Sequence, residues 1–339
     1  MYIAIPADFN KKTILDYSRI NEQYAPNKVY ETYGQLTEGD ITTSAKPKTH
    51  FPDVDMKCLR DYIAFSKMYG IKFNYAFNFS CLSNYELTND GRLAIQNFIK
   101  QLVAIGVDTI TVSLPTIIEI IRDLGLDINI VASTICNISS PATAAYYKSL
   151  GVSRIVLDSD IIRNFDVLRN IVKVFDKDIE LIANSTCIKG CPFKQFHYNA
   201  AAHSEGTPLE KEDIYYTYCN GQKQKDPLSW LKSNWIRPED ISLYSSTGIK
   251  YFKFSKRAFI TKRNPVKAAE HYLKGDYSGN LLELLNLFAN SDIYTANHYI
   301  DNKLLDGFIK SMYDGSSVCN GVCNECSLCD VYAAKAFNL

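Results

Sequence analysis

Apolar and polar positions follow two rhythms along this chain. Short runs rich in β-branched and aromatic residues recur at regular spacing: YIAIPA (2–7), NKVYETYG (27–34), IKFNYAFNFS (71–80), DTITVSL (108–114), INIVAST (128–134), RIVLDSD (154–160), IELIANS (179–185) and IKYFKFS (249–255). Each is bounded by residues that break regular structure, as strands are. Between most of them the apolar positions return every three or four residues, the period of a helix with one buried face. KTILDYSRINEQY, CLRDYIAFSKMYG, GRLAIQNFIKQLVAIG, PTIIEIIRDLG, SPATAAYYKSLG and NFDVLRNIVKVF are the predicted helices. Gly106, Gly125 and Gly151 stand where helices end, and Ser140-Pro141 reads as an N-cap followed by proline in the first turn.

Strands alternating with single helices pair in parallel. Eight such units predict an α/β fold, a (β/α)8 TIM-like barrel over residues 1–285, with a Cys-containing insertion at 186–238 after the seventh strand. Residues 286–339 are left as a C-terminal helical segment and a Cys-rich tail. The first unit, the second crossover and the seventh are the irregular ones. An open doubly wound sheet is the alternative, but neither GxGxxG nor GxxxxGK[ST] follows any of the runs.

Composition changes the picture in two ways. With 339 residues and 46% hydrophobic content the chain can build a large core without staples. Lys plus Arg equals Asp plus Glu at 37 each, so global charge favours neither a membrane nor DNA as partner. MYIAIPADFN lacks the basic start of a signal peptide, and no apolar run reaches the ~18 residues of a membrane helix. A cytoplasmic protein is expected, where disulfides are rare. Ten cysteines then need another explanation.

Function in such a barrel belongs where strands end. Those ends carry Asn78, Cys81, Ser113, Ser133, Thr134, Cys136, Asp158, Asn184, Cys187, Lys253 and Ser255. The insertion opens with CIKGCPFKQFHYNAAAH, so Cys187, Cys191, His197 and His203 follow the seventh strand, and Cys219 comes later in the same insertion. The tail holds VCNGVCNECSLC, with Cys319, Cys323, Cys326 and Cys329 in the pattern C-x3-C-x2-C-x2-C. Structural zinc sites use two knuckles separated by a longer loop. The close run looks more like cysteines wrapping an iron–sulfur cubane. C-x3-C-x2-C is also the radical-SAM spacing, but it begins here beyond the eighth strand. The seven cysteines allow one [4Fe–4S] cluster or two, with zinc as the alternative for the tail quartet. A lone cysteine is commonly a small buried hydrophobe, and Cys187 or Cys191 beside His197 would also suit a thiol peptidase. The stretch 222–267 has eleven Lys/Arg against three Asp/Glu, among them Arg237, Lys250, Lys253, Lys256, Arg257, Lys262 and Arg263. It reads as a basic side of the mouth for an anionic substrate or cluster, or as a solvated face. Asn78, Asn184, His197, Lys253 and Arg257 are the candidate catalytic residues.

GVDTITVSLPTIIEIIRDLGLDINIVASTICNISSPATAAYYKSLGVSRIVL, IELIANSTCIKGCPF, WIRPEDISLYSSTGIKYFKFSKR and GDYSGNLLELL together resemble the collagenase-like peptidase family of unassigned catalytic type, over most of residues 70–285. That resemblance implies a barrel-like fold. It also implies similarity to [4Fe–4S] proteins of oxygen-independent ubiquinone hydroxylation and of tRNA and rRNA hydroxylation. The family signature places Glu-x-Phe-x-His-Gly-Ala before its first cysteine and a second six residues later. Here Glu180 is present, the stretch reads ELIANST, and Cys187 and Cys191 are separated by three residues rather than six. The resemblance maps cluster ligation onto Cys187, Cys191 and Cys219 and leaves the fourth ligand unplaced. Three functions follow as expectations: an iron–sulfur enzyme modifying a small molecule, peptide or RNA; a peptidase; or a non-catalytic iron–sulfur protein serving a partner or an electron donor.

Overall fold

The computed structural model describes residues 1–38, 50–203, 214–289, 298–319 and 321–337. All eight predicted strands form: β1 (Tyr2–Pro6), β2 (Lys28–Gly34), β3 (Lys72–Phe77), β4 (Thr109–Val112), β5 (Asn129–Ala132), β6 (Arg154–Val156), β7 (Asp178–Ile182) and β8 (Tyr251–Lys253). They close into one barrel in chain order, every neighbour parallel, with β8 returning to β1 through Tyr2↔Tyr251, Ile3↔Phe252 and Ala4↔Lys253. The TIM-like barrel read from the sequence is therefore the fold. Its strands are buried on both faces, which is why they read as near-continuous apolar runs.

Helices α1 (Lys11–Gln23), α2 (Met56–Met68), α3 (Asn89–Ala104), α4 (Pro115–Asp123), α5 (Pro141–Ser149) and α6 (Phe165–Phe175) cover the first six crossovers. The apolar stripes decide their faces. Ile117, Ile118, Ile120 and Ile121 of α4 are buried, as are Phe165, Leu168, Ile171 and Phe175 of α6. Each such side chain contributes about 1.5–3 kcal/mol by leaving water. The end signals work as read. Ser140 Oγ accepts from Thr143 N at 3.1 Å, and Gly106, Gly125 and Gly151 take φ of 101°, 60° and 80°, a region that strains other residues.

The seventh crossover departs from one helix per unit. It carries α7 (Lys194–Ala202), α8 (Ile214–Lys225), α9 (Leu228–Lys232) and α10 (Ile241–Ser245) over the strand ends. After β8, α11 (Pro265–Lys274) completes the ring beside α1, and α12 (Leu281–Leu285), α13 (Phe308–Tyr313) and α14 (Leu328–Ala336) follow. The last segment is sewn to the barrel. Asp301 N donates to Ala336 O at 2.9 Å, and the buried Arg237 donates to Asn302 O at 2.6 Å while pairing with Asp240 and Asp306. Among the described residues, no helix is long and apolar enough to cross a membrane.

Candidate active site

The barrel interior holds charge. Glu31 of β2, Arg154 of β6, Glu180 of β7 and Lys253 of β8 are all buried. Arg154 Nη2 reaches across to both oxygens of Glu31, at 2.9 and 2.8 Å. Asn74 Nδ2 donates to Glu31 Oε1 at 3.0 Å, and Thr111 Oγ1 donates to Asn74 Oδ1 at 2.8 Å, so β3 and β4 join the network. Glu180 is different. It is 0% exposed, neither of its oxygens has a hydrogen-bond partner among the described residues, and the nearest described cation is Lys253 Nζ at 3.8 Å. Arg154 satisfies Glu31, whereas among the described residues neither cation hydrogen-bonds Glu180.

Burial and the neighbouring Glu180 push the Glu31 acid up to about 8, against the pull of Lys253 and Asn74. The Arg154 guanidinium on both Glu31 oxygens works in the same restraining direction. Burial also lowers the Lys253 amine, and this outweighs the two carboxylates that favour its charge. Lys253, the last residue of β8, lies 3.8 Å from the centre of the Tyr33 ring. Tyr33 crosses from β2 and donates to Phe254 O at 2.7 Å. Lys253 and Tyr33 thus cap the set on the side where strands end. Arg257 stacks near Tyr33 and Phe51, at 5.9 and 5.4 Å, and its Nη1 is buried with no hydrogen-bond partner among the described residues.

The rim above β6 and β7 gathers the insertion cysteines. Cys187 is exposed, and Cys191 and Cys219 are half-buried. The Cys219 thiol is raised by burial first, opposed by Lys223, and raised further by Cys187 and Cys191. Tyr198 is raised by burial and then by Cys187, Asp158, Asp160 and Cys191. Lys194 pairs with Asp158, and Asp160 accepts from Gly190 N at 3.2 Å and from Asn234 Nδ2 at 2.6 Å. These bonds set the CIKGC turn over the ends of the two strands. The tail cysteines form a second group: Cys319, Cys323, Cys326 and Cys329 line one pocket with Lys232 and Met312. Three thiols fall one short of the four that a cubane requires. Among the described residues, no three His, Cys, Asp or Glu side chains already surround one metal position.

The barrel with its acid-bearing seventh strand and a cysteine at that strand's end is what comparison with known proteins meets. Residues 51–190 match Peptidase family U32. This bears out the resemblance to collagenase-like peptidases, over a stretch that starts earlier and stops sooner than the sequence suggested. A curated relative, "Uncharacterized protease MJ1657" of Methanocaldococcus jannaschii, is 28% identical over 99% of this chain and 98% of its own length. A solved structure described as the U32 peptidase Mk0906 is 14% identical, with a TM-score of 0.51, and covers 76% of this chain and 94% of that one; it speaks for the fold alone. The likeness to iron–sulfur hydroxylation proteins is not shown by these comparisons.

The U32 stretch contains Asn74, Thr111, Arg154, Glu180 and Cys187, whereas Glu31, Cys191, Cys219, Lys253, Arg257 and the tail lie outside it. Lys253 and Arg257 both lie near the Tyr33 ring, at 3.8 and 5.9 Å from its centre. Asn184 serves as a staple: Oδ1 accepts from Ser255 N at 2.6 Å and Ser255 Oγ at 3.0 Å, while Nδ2 donates to Leu285 O at 3.1 Å. Asn78 follows β3, with its Oδ1 buried and without a hydrogen-bond partner among the described residues. His197 stands in α7 against Tyr198 and Tyr215, with ring centres at 6.4 and 6.1 Å. Cys136 is held as a thiol, pushed up to about 11 by burial. Glu31, Asn74, Tyr33 and Arg154 were missed as site residues, and Glu180 entered only through the family signature. One signal was available. Glu31, Arg154, Glu180 and Lys253 are ionisable side chains inside predicted strands of a parallel barrel, where both faces are buried.

Proposed function

We propose that this chain is a hydrolase of the U32 peptidase type, with Glu180 as general base and Lys253 as the cation that receives the substrate carbonyl. The observation that carries the reading is Glu180 itself: a fully buried carboxylate with no hydrogen bond to either oxygen from the described residues, beside an amine at 3.8 Å. Such a group is costly to keep unless it has work to do. The family match and the relative named as a protease support peptide as the substrate.

In this reading a peptide carbonyl enters past Tyr33 and meets the Lys253 ammonium. Glu180 takes a proton from water as its oxygen bonds to the carbonyl carbon. Charge developing on the carbonyl oxygen is held by Lys253. The same proton passes from Glu180 to the departing amine as the C–N bond breaks, so the carboxylate is restored. Glu31, which keeps its proton near neutral pH, spares Glu180 a second negative neighbour. The test is incubation of the full chain with peptide libraries, read by mass spectrometry for new termini. Cleavage at defined bonds is expected, and a library left intact by folded protein would overturn the reading.

The rim thiols favour a second reading. Burial and then Cys187 and Cys191 raise the Cys219 thiol, and the three share the mouth with Asp158, Asp160 and Lys194. They would hold part of a [4Fe–4S] cluster, which would supply redox chemistry for oxygen-independent hydroxylation of a small molecule, peptide or RNA. No step is assigned to it, because the described rim supplies three thiols of four. Iron and sulfide content of protein purified without oxygen tests this. Loss of most iron in both Cys187→Ser and Cys191→Ser is expected, and unchanged iron in either would remove that residue from the ligand set.

A further inference from the structure

Arg163, in the loop between β6 and α6, is a buried cation without an acid. It is 2% exposed. Its Nη1 donates to Leu231 O at 2.7 Å, and the guanidinium lies over Trp235 and Phe308 at 4.8 and 5.0 Å. Nε and Nη2 have no hydrogen-bond partner among the described residues. A buried guanidinium in an aromatic shell, with two donors unused, calls for a negative group alongside. Arg163 lines one cavity with Cys319, the first of the tail cysteines.

A second cation meets Cys319 from the opposite element. Lys189, the middle residue of CIKGC, places Nζ 2.8 Å from Cys319 Sγ and 3.5 Å from Cys319 O. The side chains of Cys319, Cys323, Cys326 and Cys329 line one pocket, and its other neighbours are mostly apolar. Thiols need no such cations; thiolates do. Four thiolates around a zinc ion, or around an oxidised cubane, leave two negative charges, which Arg163 and Lys189 match.

We propose that Cys319, Cys323, Cys326 and Cys329 bind a thiophilic metal centre as a tetrathiolate, with Arg163 and Lys189 as its counter-charges. The proposal is independent of the peptidase reading. It also makes the insertion and the tail one unit, because Lys189 comes from the first and its thiolate from the second. Binding requires the four sulfurs to draw together from their present spread. Cys323 opens the short turn Cys323–Glu325 ahead of α14, and Cys326 closes it.

The experiment uses the full chain, purified without oxygen and supplied with zinc or with iron and sulfide. Metal content and the visible spectrum are read for wild type, Cys323→Ser/Cys326→Ser and Cys187→Ser/Cys191→Ser. One zinc, or about four irons with a broad band near ~400 nm, is expected to vanish in the first pair and persist in the second. Zinc alone and iron with sulfide both support the tetrathiolate and tell the two centres apart. Arg163→Met is expected to release metal to a chelator ~10-fold faster, and Arg163→Lys to restore much of the difference. Should the serine pair fail to fold, cobalt titration of wild type replaces it, expecting intense thiolate bands of a tetrahedral site. Metal content unchanged by the tail serines, no thiolate bands with cobalt, or release from Arg163→Met at the wild-type rate would overturn the proposal.

Discussion

The barrel interior and the cysteine rim solve the same problem, holding polar chemistry at the strand ends, by opposite means. Interior groups sit on strands whose parallel register fixes them. Glu31, Asn74, Thr111 and Arg154 come from four different strands and still meet at 2.8–3.0 Å. The rim has no ladder. Its residues are held by single side-chain bonds, such as Gly190 N to Asp160 at 3.2 Å and Lys189 to Cys319 at 2.8 Å. Register gives precision without adjustment, and it suits acid–base chemistry, where small misplacements are costly. Loop and tail bonds allow closure around a centre of different size, and this suits a metal.

Breaking the interior should cost more than breaking the rim. Arg154→Met takes two hydrogen bonds from the buried Glu31 carboxyl and should lower stability by about 3 kcal/mol in denaturant melts. Adding Glu31→Gln should recover part of that loss, because the amide's own N–H donors take the place of a carboxyl oxygen left without a partner. If the double variant is no more stable than Arg154→Met, the two residues do not act as a pair. Asn184→Ala comes next. It strands Leu285 O and Ser255 N, and about 2 kcal/mol is expected from the same melts. A cost under half of that would show that water or neighbours replace the staple.

Taken per pH unit, the smallest effect is one of pH. Glu31 is raised from 4.5 to about 8, so between those values the folded chain keeps a proton that the unfolded chain has released. Stability from this group is full below the ordinary carboxyl range and declines as pH rises towards 8. The slope is at most ~1.4 kcal/mol per pH unit. Glu31→Gln should flatten it, and melts at pH 5 to 8 that fall equally in both proteins would assign the slope elsewhere.

Much of this architecture was legible in the chain. Strands buried on both faces leave continuous apolar runs such as DTITVSL, and helix ends carry their own glycines. The interior network was harder to see. In β2 the pairing with β1 slips by one residue between Val29 and Glu31, so simple alternation along KVYETYG does not give the face of Glu31. Arg154 opens β6 and reads as a flanking charge. Glu180 shows nothing of its missing hydrogen bonds until β8 is set beside it. The cysteines were visible as two sets by spacing alone, but spacing could not reveal that Lys189 joins them or that Arg163, far from either motif, faces the tail.

The most direct measurement compares wild type with Glu180→Gln on a peptide that the wild type cleaves, with folding of both verified by circular dichroism. The account expects kcat to fall by roughly 10²–10⁴-fold with KM little changed, as loss of a general base does. Cleavage by folded Glu180→Gln at the wild-type rate would contradict it and move the chemistry out of the barrel to the cysteine rim.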